Sequence, residues 1–93
     1  MDVQDWQTNK RLADTNLYML EHELDVDVTF LVGEGRDKVN CHRFMLVSRS
    51  PVFYAMLLGP LAEKSSTVTV PDIDKKTFTA MLRYMYSLFV FFS

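Results

Sequence analysis

The order of hydrophobic patterns along the chain predicts an α+β fold: a helix, a β-hairpin, two short helices, one further strand and a closing helix. Three observations carry the prediction. Apolar residues recur at helical spacing in two well-separated stretches, near residues 13–24 and 78–85. Between 26 and 32 they alternate with polar ones, the period of a half-buried strand. Strands and helices then mix without a repeating strand–helix–strand rhythm, which excludes a doubly wound parallel sheet.

The first helix is expected over residues 8–24. Ala13, Leu17, Leu20 and Leu24 recur at i, i+4, i+7 and i+11, and Lys10, Arg11, Asp14 and Glu21 take the other face. Thr8 is the expected N-cap, and Trp6 just before it an anchor on the domain itself or on a partner. In the strand that follows, Val26, Val28, Phe30 and Val32 alternate with Asp27, Thr29 and Leu31. Gly33-Glu34-Gly35-Arg36-Asp37 reads as a turn whose glycines are free to take positive φ. Lys38–Cys41 returns with Val39 and Cys41 on one face. Residues 42–48 read as a short helix, and Ser50-Pro51 starts another, Ser as cap and Pro at the first helical position. That helix is expected to turn Val52, Phe53, Met56 and Leu57 inward and to stop at Gly59-Pro60. Thr67–Val70 is a strand ended by Pro71, and Asp74 caps a last helix with Phe78, Met81, Leu82 and Met85 on one face.

Composition bounds the function. Ninety-three residues, 48% apolar and 24% charged, suit one domain, which at that size buries roughly 60–65% of the surface its unfolded chain exposes. Net charge is −2 and no Lys/Arg cluster appears, so no nucleic-acid footprint is expected. A single cysteine makes no internal disulfide and suits a reducing compartment, so a cytoplasmic location is expected. The first ten residues lack an apolar run, so no signal peptide is expected. No stretch reaches about 18 apolar residues, so no membrane span is expected either.

The residues also argue against catalysis, a cofactor or a metal. His22 and His42 are the only histidines and Cys41 the only cysteine. Neighbours in a strand point to opposite faces, so Cys41 and His42 form no Cys–His pair, and no second pair completes a zinc site. The simpler reading is a buried free thiol beside a hydrogen-bonded histidine. Gly33-Glu34-Gly35 lacks the third glycine and the helix of a dinucleotide loop. Asp25 and Asp27 share a strand face but have no metal partners or base, which is weak support for hydrolysis.

One ordered set of anchors is more specific. Asp27-Val28-Thr29-Phe30-Leu31-Val32-Gly33 is followed by Cys41-His42-Arg43-Phe44-Met45-Leu46 and by Ser48-Arg49-Ser50-Pro51-Val52-Phe53. Val68-Thr69-Val70-Pro71-Asp72-Ile73 and then Phe78, Met81, Leu82, Tyr84, Met85 and Tyr86 complete it. In this order and spacing, from about Asp25 to Tyr86, the chain resembles the first two-thirds of a BTB (POZ) domain. Its leading helix, with Trp6 and Arg11 to Leu24, further resembles that of the adaptors that join a BTB domain to BACK and PHR domains. The resemblance implies a small mixed sheet flanked by short helices. It also implies a module that pairs with itself or with another BTB protein. Many members are adaptors that bind the N-terminal region of cullin-3 in a ubiquitin ligase; others are transcriptional regulators that bind corepressor peptides.

The same resemblance assigns three groups of residues. Asp27 and Arg43 match charges that lie together near the family's dimer interface. The alternative is a solvent-exposed aspartate and an ordinary helix arginine, and a buried Asp27 would need a partner because an unpaired buried carboxylate costs several kcal/mol. Leu61-Ala62-Glu63 matches the hydrophobic-x-Glu motif of cullin-3-binding members, an apolar anchor beside a carboxylate, the alternative being a solvated loop. Leu17, Leu20 and Leu24 are candidates for an N-terminal interface, though packing within the chain explains the same stripe. The Met-rich set Met45, Met56, Met81 and Met85 reads as core.

Residues 1–24 are thus an expected helical extension, 25–86 a partial BTB domain and 87–93 an atypical apolar tail. The family continues with a strand and a helical pair, where this sequence has Leu88-Phe89-Val90-Phe91-Phe92-Ser93. The expectation is a domain incomplete at its C-terminus, a fragment, truncated product or incomplete gene model of a longer adaptor, its apolar tail an aggregation risk. It is expected to dimerise and contact cullin-3, the alternative being an inactive or dominant-negative fragment.

Overall fold

A computed structural model describes residues 5–62 and 65–87. Seven elements follow one another: α1 (Leu12–Glu21), β1 (Val28–Val32), β2 (Asp37–Cys41), α2 (Arg43–Arg49), α3 (Pro51–Leu58), β3 (Thr67–Val70) and α4 (Lys75–Ser87). The expected order is the observed one. Glu63 and the tail Leu88–Phe92 lie outside the described residues.

The strands form one small mixed sheet, ordered β2-β1-β3. β1 and β2 pair antiparallel, Phe30 opposite Val39 and Val28 opposite Cys41. β3 lies parallel to β1, with Phe30 beside Val68 and Val32 beside Val70. The period-2 pattern therefore puts Val28, Phe30, Val32, Val39, Cys41 and Val68 on one buried face. In the hairpin turn Gly33 takes φ 71° and its carbonyl accepts the Arg36 N–H at 3.1 Å. The second left-handed position falls on Arg36 (φ 53°) and not on Gly35.

Three rings from three elements form the centre of the core. Phe30 meets Phe53 edge-on at 5.6 Å and Phe78 at 5.0 Å, and Phe53 meets Phe78 edge-on at 6.3 Å. Phe78, Leu82 and Tyr86 recur at i, i+4 and i+8 and are the buried residues of α4; Met81 and Met85 pack beside them. Asp74 accepts the Thr77 N–H at 2.7 Å and so caps α4 as expected. Ser50 does the same for α3 through the Phe53 N–H at 3.2 Å, with Pro51 at the first position. Val52, expected inside, is 68% exposed. Eight residues present one narrow face, and Phe53, Met56 and Leu57 fill it.

The first helix is shorter than its stripe. Asp5 accepts the N–H groups of Gln7 and Thr8, at 3.1 and 2.8 Å, and Asn9 takes φ 59°, so residues 5–9 form a turn. Arg11, not Thr8, is the N-cap. At the other end Glu23 and Asp25 take φ 51° and 58°, which ends the helix before Leu24. Strand β1 likewise starts at Val28, two residues after the first alternating valine.

Candidate interaction surfaces

Two of the residues singled out by sequence, Asp27 and Arg43, meet where the foot of β1 and the start of α2 come together, beside the end of α4. Asp27 is exposed and accepts the backbone N–H of Arg43 at 2.7 Å. The Arg43 guanidinium turns away and donates to the Leu57 carbonyl on α3 at 3.2 Å. Asp27 and Arg43 are thus neighbours, but the contact joins a carboxylate to a peptide N–H; among the described residues no ion pair links the two side chains. Burial of Asp27, the premise that made a charged partner necessary, does not occur.

His42 lies between them and the core. Its Nε2 is 2.6 Å from the Leu24 carbonyl and its Nδ1 2.8 Å from the Tyr86 hydroxyl. A carbonyl only accepts, so in the neutral ring Nε2 carries the proton and Nδ1 accepts from Tyr86. The same hydroxyl accepts the His42 backbone N–H at 2.8 Å. This knot ties the α1–β1 connection to α2 and α4. Burial raises Tyr86 well above the ordinary tyrosine value, the His42 N–H working against that. Cys41 next to it is a buried free thiol, pushed up to about 12 by burial and, less, by the charge of Asp27. A thiol so held is no nucleophile at neutral pH. Sequence contained the two partners, Tyr86 as an anchor and His42 beside Cys41, but no signal that joins residues 44 positions apart.

Around this knot a hollow of about 250 Å³ opens between Met19, Asp25, Asp27, Phe44 and Met45. Phe44 stands at its rim, 75% exposed, and is a surface residue that sequence reasoning left in an ordinary helix. Leu20 is buried in the chain's own core with Leu17 packed against it, and α1 lies along α4. Asn16 donates to the Tyr86 carbonyl at 3.3 Å and Arg83 pairs with Glu21 across the same seam. Leu24 sits in the turn after α1. Trp6 stacks on Tyr18 at 4.6 Å, and Tyr18 on His22 at 3.9 Å, so the anchor packs on its own domain.

The second surface is the end of α3. Leu58 is 55% exposed and Leu61 fully so, at 99%. Gly59 stands between them because a Cβ there would come within 2.5 Å of the Ala55 carbonyl. Two apolar side chains this exposed stand close together on one short stretch. Among the described residues no group of three His, Cys, Asp or Glu side chains is placed to hold a metal, and no helix is long and apolar enough to cross a membrane.

The described residues thus form a mixed sheet with helical cover, a buried thiol and exposed apolar side chains at Phe44, Leu58 and Leu61. The chain belongs to the BTB/POZ domain family, whose model matches residues 17–93. It is similar to BTB/POZ domain-containing protein 6 of Xenopus laevis, 38% identical over 90 residues that make up 94% of this chain and 17% of that protein. It is 41% identical to the Homo sapiens protein of the same name over 78 residues, 82% of this chain and 14% of that protein. BTB/POZ domain-containing protein 3 of Homo sapiens is 36% identical over 77 residues, 81% of this chain and 15% of that protein. The chain therefore spans less than a fifth of the length of these relatives.

Proposed function

We propose that this chain supplies the pairing and scaffold-binding part of a cytoplasmic, non-enzymatic substrate adaptor for a cullin-3 ubiquitin ligase. The observation that carries the proposal is the end of α3: Leu58 and Leu61 are exposed on either side of the Gly59 break, and Leu61 opens the sequence Leu61-Ala62-Glu63. An exposed apolar anchor beside a carboxylate is the chemistry of a hot spot, where a partner's pocket takes the first and a donor orients the second. Self-association is supported by the other surface, where exposed Phe44 and the methionines Met19 and Met45 border one hollow. A symmetric pair buries such a patch against its own copy.

The test is a titration of the purified chain against the N-terminal region of cullin-3. Leu61→Asp is expected to weaken binding by at least about tenfold, as loss of a central anchor does, and Glu63→Lys to weaken it by a similar factor, with the circular dichroism of both variants unchanged. Unchanged affinity in both removes the cullin-3 reading. Tight binding of a corepressor peptide at the Phe44 hollow, with none of cullin-3, replaces it by the transcriptional-regulator reading.

A further inference from the structure

Arg43 is held at both ends by different elements. Its peptide N–H bonds to Asp27 at the foot of β1, and its guanidinium reaches the Leu57 carbonyl in the last turn of α3. The last four carbonyls of a helix have no donor within it. In α3 the Gly59 N–H serves Ala55 at 3.1 Å. Gly59 itself has φ −69° and ψ 175°, so no left-handed cap wraps the end, and α3 has no basic residue in its own last turn. The cation at this helix end comes from α2. A guanidinium there both fills an orphan carbonyl and opposes the negative end of the helix.

What that bond holds is the docking patch. Leu57 is buried, at 3% exposure, and fixes the inner side of the turn from which Leu58 and Leu61 project. The Ala62 N–H closes the same turn on the Gly59 carbonyl at 3.0 Å. We infer that Arg43 is a positioning residue for the Leu58–Leu61 surface, acting through the end of α3, and that Asp27 serves it as a hydrogen-bond acceptor and not as a counter-charge. The inference rests on the cullin-3 reading only for the partner used to read it out.

The experiment uses the full 93-residue chain and two readouts. Amide exchange at Leu58, Gly59 and Ala62 is followed without a partner, and affinity is measured for the N-terminal region of cullin-3. Arg43→Met is expected to speed exchange at these amides about tenfold and to weaken binding about as much, the scale of one charge-assisted hydrogen bond. Arg43→Lys keeps a donor and restores most of both. Asp27→Asn keeps the acceptor and matches the parent chain, whereas Asp27→Ala does not. Unchanged exchange in Arg43→Met overturns the inference. So does Asp27→Asn behaving as Asp27→Ala, which would make the pair one of charge. Faster exchange in Arg43→Met with no cullin-3 binding by the parent chain leaves the positioning role standing and removes the partner.

Discussion

Cys41 and Tyr86 share one buried corner, and their chemistry gives the molecule its pH dependence. An unfolded thiol titrates near its ordinary value of 9.0, whereas the native one is pushed up to about 12. Between those values the unfolded chain has lost a proton that the native chain keeps, so stability is complete below pH 9 and falls as pH rises toward 12. Tyr86, raised from 10.0 by burial, adds to the fall from about that pH upward. The melting temperature is expected to be flat from pH 7 to 8.5 and to drop above 9, with a shallower drop in Cys41→Ala. A thiol reagent at pH 8 is expected to label Cys41 only on the unfolding timescale; rapid stoichiometric labelling of the native chain would contradict its burial. At the acid end Asp74, lowered by the Thr77 N–H, works the other way: its stabilisation is present above the ordinary 3.8 and lost as pH falls below it.

Elements were legible where local chemistry decides them, and less so where a partner far along the chain does. Ser50-Pro51 and Asp74 specify helix starts by themselves, and both caps are present. Replacing Ser50 by Ala is expected to cost about 1 kcal/mol in urea unfolding with an unchanged m-value; no loss would mean that α3 is held by Phe53 and Leu57 alone. The α1 stripe was legible but its bounds were not, because the left-handed Glu23 and Asp25 and the Asp5 turn override the periodicity of 8–24. Val52 was misjudged for a related reason: an apolar residue one step from the stripe of a short helix reads as core and is 68% exposed. At the candidate site, the family resemblance implied Asp27 beside Arg43 but could not tell a carboxylate–peptide bond from an ion pair. The direction of the guanidinium depends on where α3 ends, 14 residues on. The Phe44 rim and the His42–Tyr86 knot were not legible at all, since both arise only when α2 and α4 meet.

For the whole molecule, one cluster of thirteen buried apolar residues does the holding, with no buried charge among the described residues. A domain of this size has about 5–10 kcal/mol to lose, and emptying a site beneath three packed rings costs about 3–5 kcal/mol. Phe78→Ala is therefore expected to lower the urea midpoint by at least a third or to prevent folding, while Thr69→Ala, on an exposed side of β3, changes it little. The proposed function divides between two exposed surfaces, pairing at the Phe44 hollow and cullin-3 binding at the α3 end. Sedimentation equilibrium of the chain alone and mixed with the N-terminal region of cullin-3 tests that division most directly. The expected result is a dimer that takes up one cullin-3 fragment per chain, and a Leu61→Asp variant that remains a dimer and takes up none. A chain that sediments as a monomer in both solutions, or a Leu61→Asp variant that binds like the parent, would contradict it.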